Sequence, residues 1–92
     1  MAELSELLRS EKTKVVDVRT PSEFVGGHVA DSINIPLNEI PEHISELKEM
    51  GQVVLCCASG GRSQQATVFL QQQGISCTNG GSWTNVNYYK NN

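Results

Sequence analysis

The chain has 92 residues, a length that supports one hydrophobic core, so residues 1–92 are expected to form a single domain. Its hydrophobic fraction of 38% and charged fraction of 18% fit neither a disordered polyelectrolyte nor a membrane protein; the longest apolar run, Val53 to Ala58, falls far short of the roughly 18 residues a bilayer span needs. The net charge of −3 is unevenly spread: residues 1–50 hold ten acids against five bases, whereas residues 51–92 hold no acid and only Arg62 and Lys90, so no basic cluster is available for nucleic acid.

The start, Met1-Ala2-Glu3-Leu4-Ser5-Glu6, lacks the positive stretch and apolar run of a secretion signal, and a cytoplasmic location is expected. Leu4, Leu7 and Leu8 recur at helical spacing and predict a short amphipathic helix. Lys14-Val15-Val16-Asp17-Val18 then reads as a buried strand rich in β-branched residues. Thr20-Pro21-Ser22-Glu23 combines capping-box spacing with proline at the first helical position, predicting a second helix that stops near Gly26-Gly27. Ile33-Asn34-Ile35-Pro36 predicts a brief strand, because proline holds Ile35 out of the helical region. Ile40, Ile44 and Leu47 fall on one face of a further helix ended by Gly51.

Val53-Val54-Leu55-Cys56 is a continuous apolar strand of the kind buried on both faces of a parallel sheet. A loop of small residues from Cys57 to Gly61 follows, then a helix from about Ser63 whose buried face carries Ala66, Phe69 and Leu70 and which ends at Gly74. Ile75 to Thr78 predicts a last short strand broken by Gly80-Gly81, with a closing helix marked by Trp83, Val86 and Tyr89. Strands alternating with helices predict an α/β fold: an open parallel sheet of four to five strands flanked by helices on both faces, with its ligand at the carboxyl ends of the strands.

The cysteines number three, two of them adjacent, which argues against a disulfide framework and leaves at least one thiol free. No C-x-x-C pair is present, and His28 and His43 stand at no ligand spacing from the thiols, so no metal is expected. The segment that carries chemistry is Cys56-Cys57-Ala58-Ser59-Gly60-Gly61-Arg62-Ser63, at a strand-to-helix junction. Two glycines and two small residues let successive N–H groups curl inward into an anion-binding nest extended by the next helix. An ordinary thiol is only about 3% ionised at neutral pH, and a helix N-terminus or a nearby arginine raises that fraction. Arg62 is the one charged residue between Gly51 and Tyr89, and so the main candidate to hold an incoming anion.

Two registers compete. From Cys56 the spacing is the bare C-x5-R-S of cysteine phosphatases, without the histidine that precedes their nucleophile, since Leu55 stands there. From Cys57 it is C-x-x-G-x-R-S, which resembles the loop of the rhodaneses and is the favoured register. The rest of the chain also resembles a single-domain rhodanese: Asp17 and Arg19, Glu23-Phe24, Gly27-His28-Val29 and Asn34-Ile35-Pro36 match the family's ordered signature, and with Gly80-Gly81 the likeness covers roughly residues 4 to 86. There are departures. The family's usual first strand is absent or very short, Asp31-Ser32 stands where Gly-Ala is common, and the segment after Gly81 follows the family only loosely.

The resemblance implies a sulfurtransferase in which Cys57 takes sulfane sulfur from thiosulfate or a related anionic donor and passes it as a persulfide to cyanide, a thiol or a protein. Ala58, Ser59, Gly60, Gly61, Arg62 and Ser63 would bind the donor, with no metal or organic cofactor. The alternatives are a persulfide carrier or regulatory module without significant turnover and, on the Cys56 register, a phosphatase or arsenate reductase. Cys56 and Cys77 are expected to be buried small hydrophobes. Asp17 and Arg19 are expected to form a structural network with Glu23, His28 to belong to a turn, and Trp83, Tyr88 and Tyr89 to pack.

Overall fold

The computed structural model describes residues 2–91; Met1 and Asn92, the ends of the expected 1–92 unit, lie outside the described residues. The elements follow in the order α1 (Ala2–Arg9), β1 (Thr13–Asp17), α2 (Pro21–Val25), β2 (Ile33–Asn34), a 3₁₀ helix (Leu37–His43), α3 (Ile44–Glu49), β3 (Gln52–Cys57), α4 (Gly61–Gln72), β4 (Cys77–Ser82) and α5 (Trp83–Lys90). All described strands are parallel, in the spatial order β2-β1-β3-β4, so the sheet has the lower of the expected strand numbers. The chain winds from β1 to one side to make β2, then returns to the other side for β3 and β4. Crossovers therefore part between β1 and β3, and it is at the carboxyl ends of such a pair that an α/β sheet opens a crevice.

Strand alternation sorts the core into two layers. Val53, Leu55 and Cys57 of β3 face Ile40, Leu47 of α3, and Ala66 and Leu70 of α4, while Val54 and Cys56 face Leu4 of α1, Val29 and Val86 of α5. Helices therefore cover both faces. The expected capping box is present on α2: the Thr20 hydroxyl accepts from the Glu23 N–H, and the Glu23 carboxylate accepts from the Thr20 N–H.

Four elements differ from the sequence reading. The expected helix through Ile40 splits into a 3₁₀ turn and α3, because Pro41 has no N–H to continue an α-helical ladder. β3 extends to include Cys57, and α4 starts at Gly61 instead of Ser63. The last strand is not broken at Gly80-Gly81: β4 runs through them to Ser82, with a register shift that pairs Leu55 with Asn79 and Cys56 with Gly81. Gly80 is the extra residue, and a Cβ there would lie 2.5 Å from Val86 Cγ2 and 2.8 Å from Val54 Cγ1. Asp31, where the sequence departs from Gly-Ala, has φ of 66°, a left-handed conformation that glycine adopts without strain and aspartate tolerates better than most residues.

Candidate active site

Cys57 ends β3 at the crevice between β1 and β3, and the backbone folds back over it at once. Gly60, with φ of 104°, makes the reversal that directs the chain into α4. As a result the Gly60 N–H donates to Cys57 Sγ at 2.9 Å and the Ser63 N–H at 3.4 Å, with the Ser63 hydroxyl at 3.3 Å. Burial pushes the Cys57 thiol up, but hydrogen bonds from the Ser63 hydroxyl and from the N–H groups of Ser63, Gly60 and Ser59 outweigh it, and the thiol titrates below its ordinary value. The arrangement favours a thiolate at the N-terminus of a 12-residue helix.

The residues expected to bind the donor take up different stations. Ala58, Ser59 and Gly61 are exposed on the rim, and Gly60 is half-buried. Ser63 is fully buried beneath Cys57, and its hydroxyl also reaches Asn79 Oδ1 at 2.7 Å and the Gly60 carbonyl at 3.2 Å. Arg62 stands at the mouth, but it is not free: its Nη1 and Nη2 donate to the two carboxylate oxygens of Glu23 at 2.7 and 3.0 Å. Held by the Arg62 guanidinium and by the Thr20 N–H, the Glu23 carboxyl titrates down at about 2. Arg62 also lines, with Val18, Thr20, Pro36, Leu37 and Asn38, a cavity of about 320 Å³ next to the rim.

The other thiols lie elsewhere. Cys56 is fully buried on the opposite face of the sheet, where burial first and the Asp17 carboxylate second push its thiol up to about 12. Cys77 is buried on the α4 side with its thiol directed at the Thr67 carbonyl, and burial raises it as well. Asp17 and Arg19 form a buried pair at 2.7 Å. Arg19 further donates to the Glu23 and Gly27 carbonyls and lies over the Trp83 ring, so its network meets the Glu23 backbone while the Glu23 carboxylate turns to Arg62. His28 stacks on Phe24 with Nδ1 2.7 Å from the Phe24 carbonyl, as part of a turn. Among the described residues no helix is long and apolar enough to cross a membrane.

The Rhodanese-like domain family model matches residues 1–90. The chain belongs to the rhodanese-like family. It is 41% identical over 68 residues to a sulfurtransferase of Allochromatium vinosum, covering 74% of this chain and 64% of that protein, so it spans less than two thirds of that relative's length. It is 34% identical over 74 residues to a thiosulfate sulfurtransferase, GlpE, of Pseudomonas syringae pv. syringae, covering 80% of this chain and 70% of that one. Among solved structures it is similar to a rhodanese-related protein of Thermoplasma volcanium, with TM-score 0.78 and 33% identity over 95% of this chain and 85% of that chain.

Two contributors to this rhodanese-like site are not legible in the sequence. Glu23 reads as a helix cap, and nothing in its local pattern announces an ion pair with a residue 39 positions later. Asn79 reads as a polar residue before a glycine pair, yet it closes the floor of the loop through Ser63, Gly60 and Gly81.

Proposed function

We propose that this chain, residues 1–92 acting as one domain, is a cytoplasmic sulfurtransferase whose Cys57 accepts sulfane sulfur and hands it on. The observation that carries the reading is the convergence of the Gly60 and Ser63 N–H groups on Cys57 Sγ. The Cys57 thiolate attacks the outer sulfur of thiosulfate; the S–S bond to the sulfonate breaks, sulfite leaves with the bonding pair, and Cys57 becomes a persulfide anion. In the second half an acceptor thiolate or cyanide attacks that outer sulfur, and Cys57 is released as thiolate. This is covalent catalysis with balanced charge in each step and no need for an external base, provided the thiol is already ionised. The loop N–H groups hold the negative charge in both states of the enzyme.

A second reading, a persulfide carrier without significant thiosulfate turnover, is favoured by the pairing of Arg62 with Glu23. A dianionic donor approaching this rim meets a carboxylate that is ionised throughout the physiological range, whereas a persulfide donor carries less charge to repel. The Cys56 register, and with it the phosphatase or arsenate reductase reading, is disfavoured by a nucleophile that faces the other core layer with its thiol pushed up to about 12.

Steady-state sulfur transfer from thiosulfate and from a low-molecular-weight persulfide, each to cyanide and to a thiol, tests the reading. Turnover of thiosulfate supports the enzyme, and turnover with persulfide alone supports the carrier. Failure of both donors, or phosphate release from an aryl phosphate, overturns it.

A further inference from the structure

The Ser63 hydroxyl has one proton and three acceptors within reach: Asn79 Oδ1 at 2.7 Å, the Gly60 carbonyl at 3.2 Å and Cys57 Sγ at 3.3 Å. The Asn79 amide is oriented by groups of fixed polarity. The Gly81 N–H, which can only donate, faces Oδ1 at 3.0 Å, and the Gly60 carbonyl, which can only accept, faces Nδ2 at 3.3 Å, with the Gln64 side-chain oxygen at 3.1 Å from the same nitrogen. Oδ1 is therefore an acceptor aimed at Ser63, and its contact is the shortest of the three. A hydroxyl that donates to Asn79 cannot also donate to Cys57.

We infer that Asn79 is a positioning residue that competes with Cys57 for the Ser63 proton, so that the Ser63 hydroxyl has two settings governed by the charge on Cys57 Sγ. With the thiol protonated, Cys57 S–H donates to Ser63 Oγ and Ser63 donates to Asn79 Oδ1. On ionisation the thiol proton leaves to solvent, the hydroxyl rotates to donate to the thiolate, and Asn79 Oδ1 keeps the Gly81 N–H alone. A hydrogen bond to a charged acceptor is the stronger, so the rotation is downhill once the charge has formed, but it forfeits a short neutral bond. Asn79 thereby holds back part of the thiolate stabilisation that Ser63 could give. On the proposed sulfur-transfer reading the same rotation reverses when Sγ acquires its outer sulfur, because the negative charge then resides on that sulfur and Sγ is a poorer acceptor. The titratable groups around Cys57 are Arg62 on α4, tied to Glu23 from α2, and Cys56 beside it on β3; Asn79, Gly80 and Gly81 of β4 bear no charge.

The test is the rate at which iodoacetamide alkylates Cys57 in the full chain at about pH 6, together with ultraviolet thiolate absorbance across pH. It needs no sulfur donor, so its failure is distinct from failure of the proposed function. Asn79→Leu keeps the branched shape of the side chain, removes the acceptor and is expected to raise the rate about three- to tenfold, corresponding to roughly half to one pKa unit. Ser63→Ala slows alkylation, and in that background Asn79→Leu changes the rate by less than about twofold, because the contested proton is gone. Should Asn79→Leu not fold by circular dichroism, Asn79→Asp serves: its carboxylate grips the hydroxyl harder and slows alkylation more with Ser63 present than in Ser63→Ala. Equal effects of an Asn79 substitution in the two backgrounds, or an unchanged or slower rate in Asn79→Leu alone, would overturn the inference and reduce Asn79 to a structural residue.

Discussion

Cys56 and Cys57 are consecutive residues of β3, both nearly inaccessible, and each has an ion pair in its neighbourhood. Strand alternation sends Cys56 into the layer of Leu4, Val54 and Val86, beside the buried Asp17–Arg19 pair, and its thiol is pushed up to about 12. Cys57 goes to the other face at the strand end, where the chain turns back, and its thiol is held below the ordinary value by the hydrogen bonds of the loop. The two ion pairs differ in the same way. Asp17–Arg19 is buried and fastens β1 to the α2 turn and Trp83, whereas Glu23–Arg62 is about one third exposed and stands across the mouth of the loop. Two identical side chains are thus pushed up on one face of β3 and held down on the other, and backbone direction makes the difference.

The largest expected effect separates the ion pairs. Arg19→Ala leaves the Asp17 carboxylate buried and unpaired and is expected to lower the unfolding free energy by about 3–5 kcal/mol in urea denaturation, close to the whole stability of a small domain. Arg62→Ala, by contrast, leaves a partly exposed carboxylate to water; its urea midpoint falls far less than that of Arg19→Ala while sulfur uptake from thiosulfate slows about tenfold.

Gly60→Ala attacks the loop side alone. At φ of 104° an alanine is strained, with an expected cost of about 1–2 kcal/mol, and displacement of the Gly60 N–H from Cys57 Sγ slows alkylation of Cys57 roughly tenfold or more. Thiol counting under native conditions sharpens the contrast between the neighbours: Cys57 reacts promptly, while Cys56 and Cys77 join it only in denaturant, all three being free thiols. The pH dependence of the rim pair has a definite sign. Because the folded Glu23 carboxyl titrates at about 2, below its ordinary 4.5, the stability from its pairing is complete above about pH 4.5 and is lost as pH falls through about 2, so acid unfolding of Glu23→Gln starts from a lower plateau and loses less. The smallest effect is expected for Asp31→Gly, far from both cysteines, which relieves a left-handed aspartate and stabilises by roughly 0.5–1 kcal/mol.

Much of this was legible in local sequence. The β-branched run Val15-Val16 and the apolar run Val53 to Cys56 mark the two central strands, Thr20-Pro21-Ser22-Glu23 marks the α2 cap, and the Gly60-Gly61 pair beside a cysteine marks the loop. What escaped depends on contacts across the chain. Gly80-Gly81 reads as a strand breaker, but the close approach of Val86 and Val54 makes it the site of a register shift inside β4. Arg62 reads as a free cation because only the folded crevice brings α2 against the loop, and Asn79 has no signal because its role arises where β4 meets the start of α4.

Intact-protein mass spectrometry of the reduced chain after exposure to thiosulfate, and separately to a small persulfide donor, tests the central assignment of Cys57 most directly. The expected result is the gain of one sulfur atom from at least one donor, reversed by dithiothreitol, retained in Cys56→Ser and Cys77→Ser and absent in Cys57→Ser. Sulfur gain that survives in Cys57→Ser, or that disappears in Cys56→Ser alone, would contradict it.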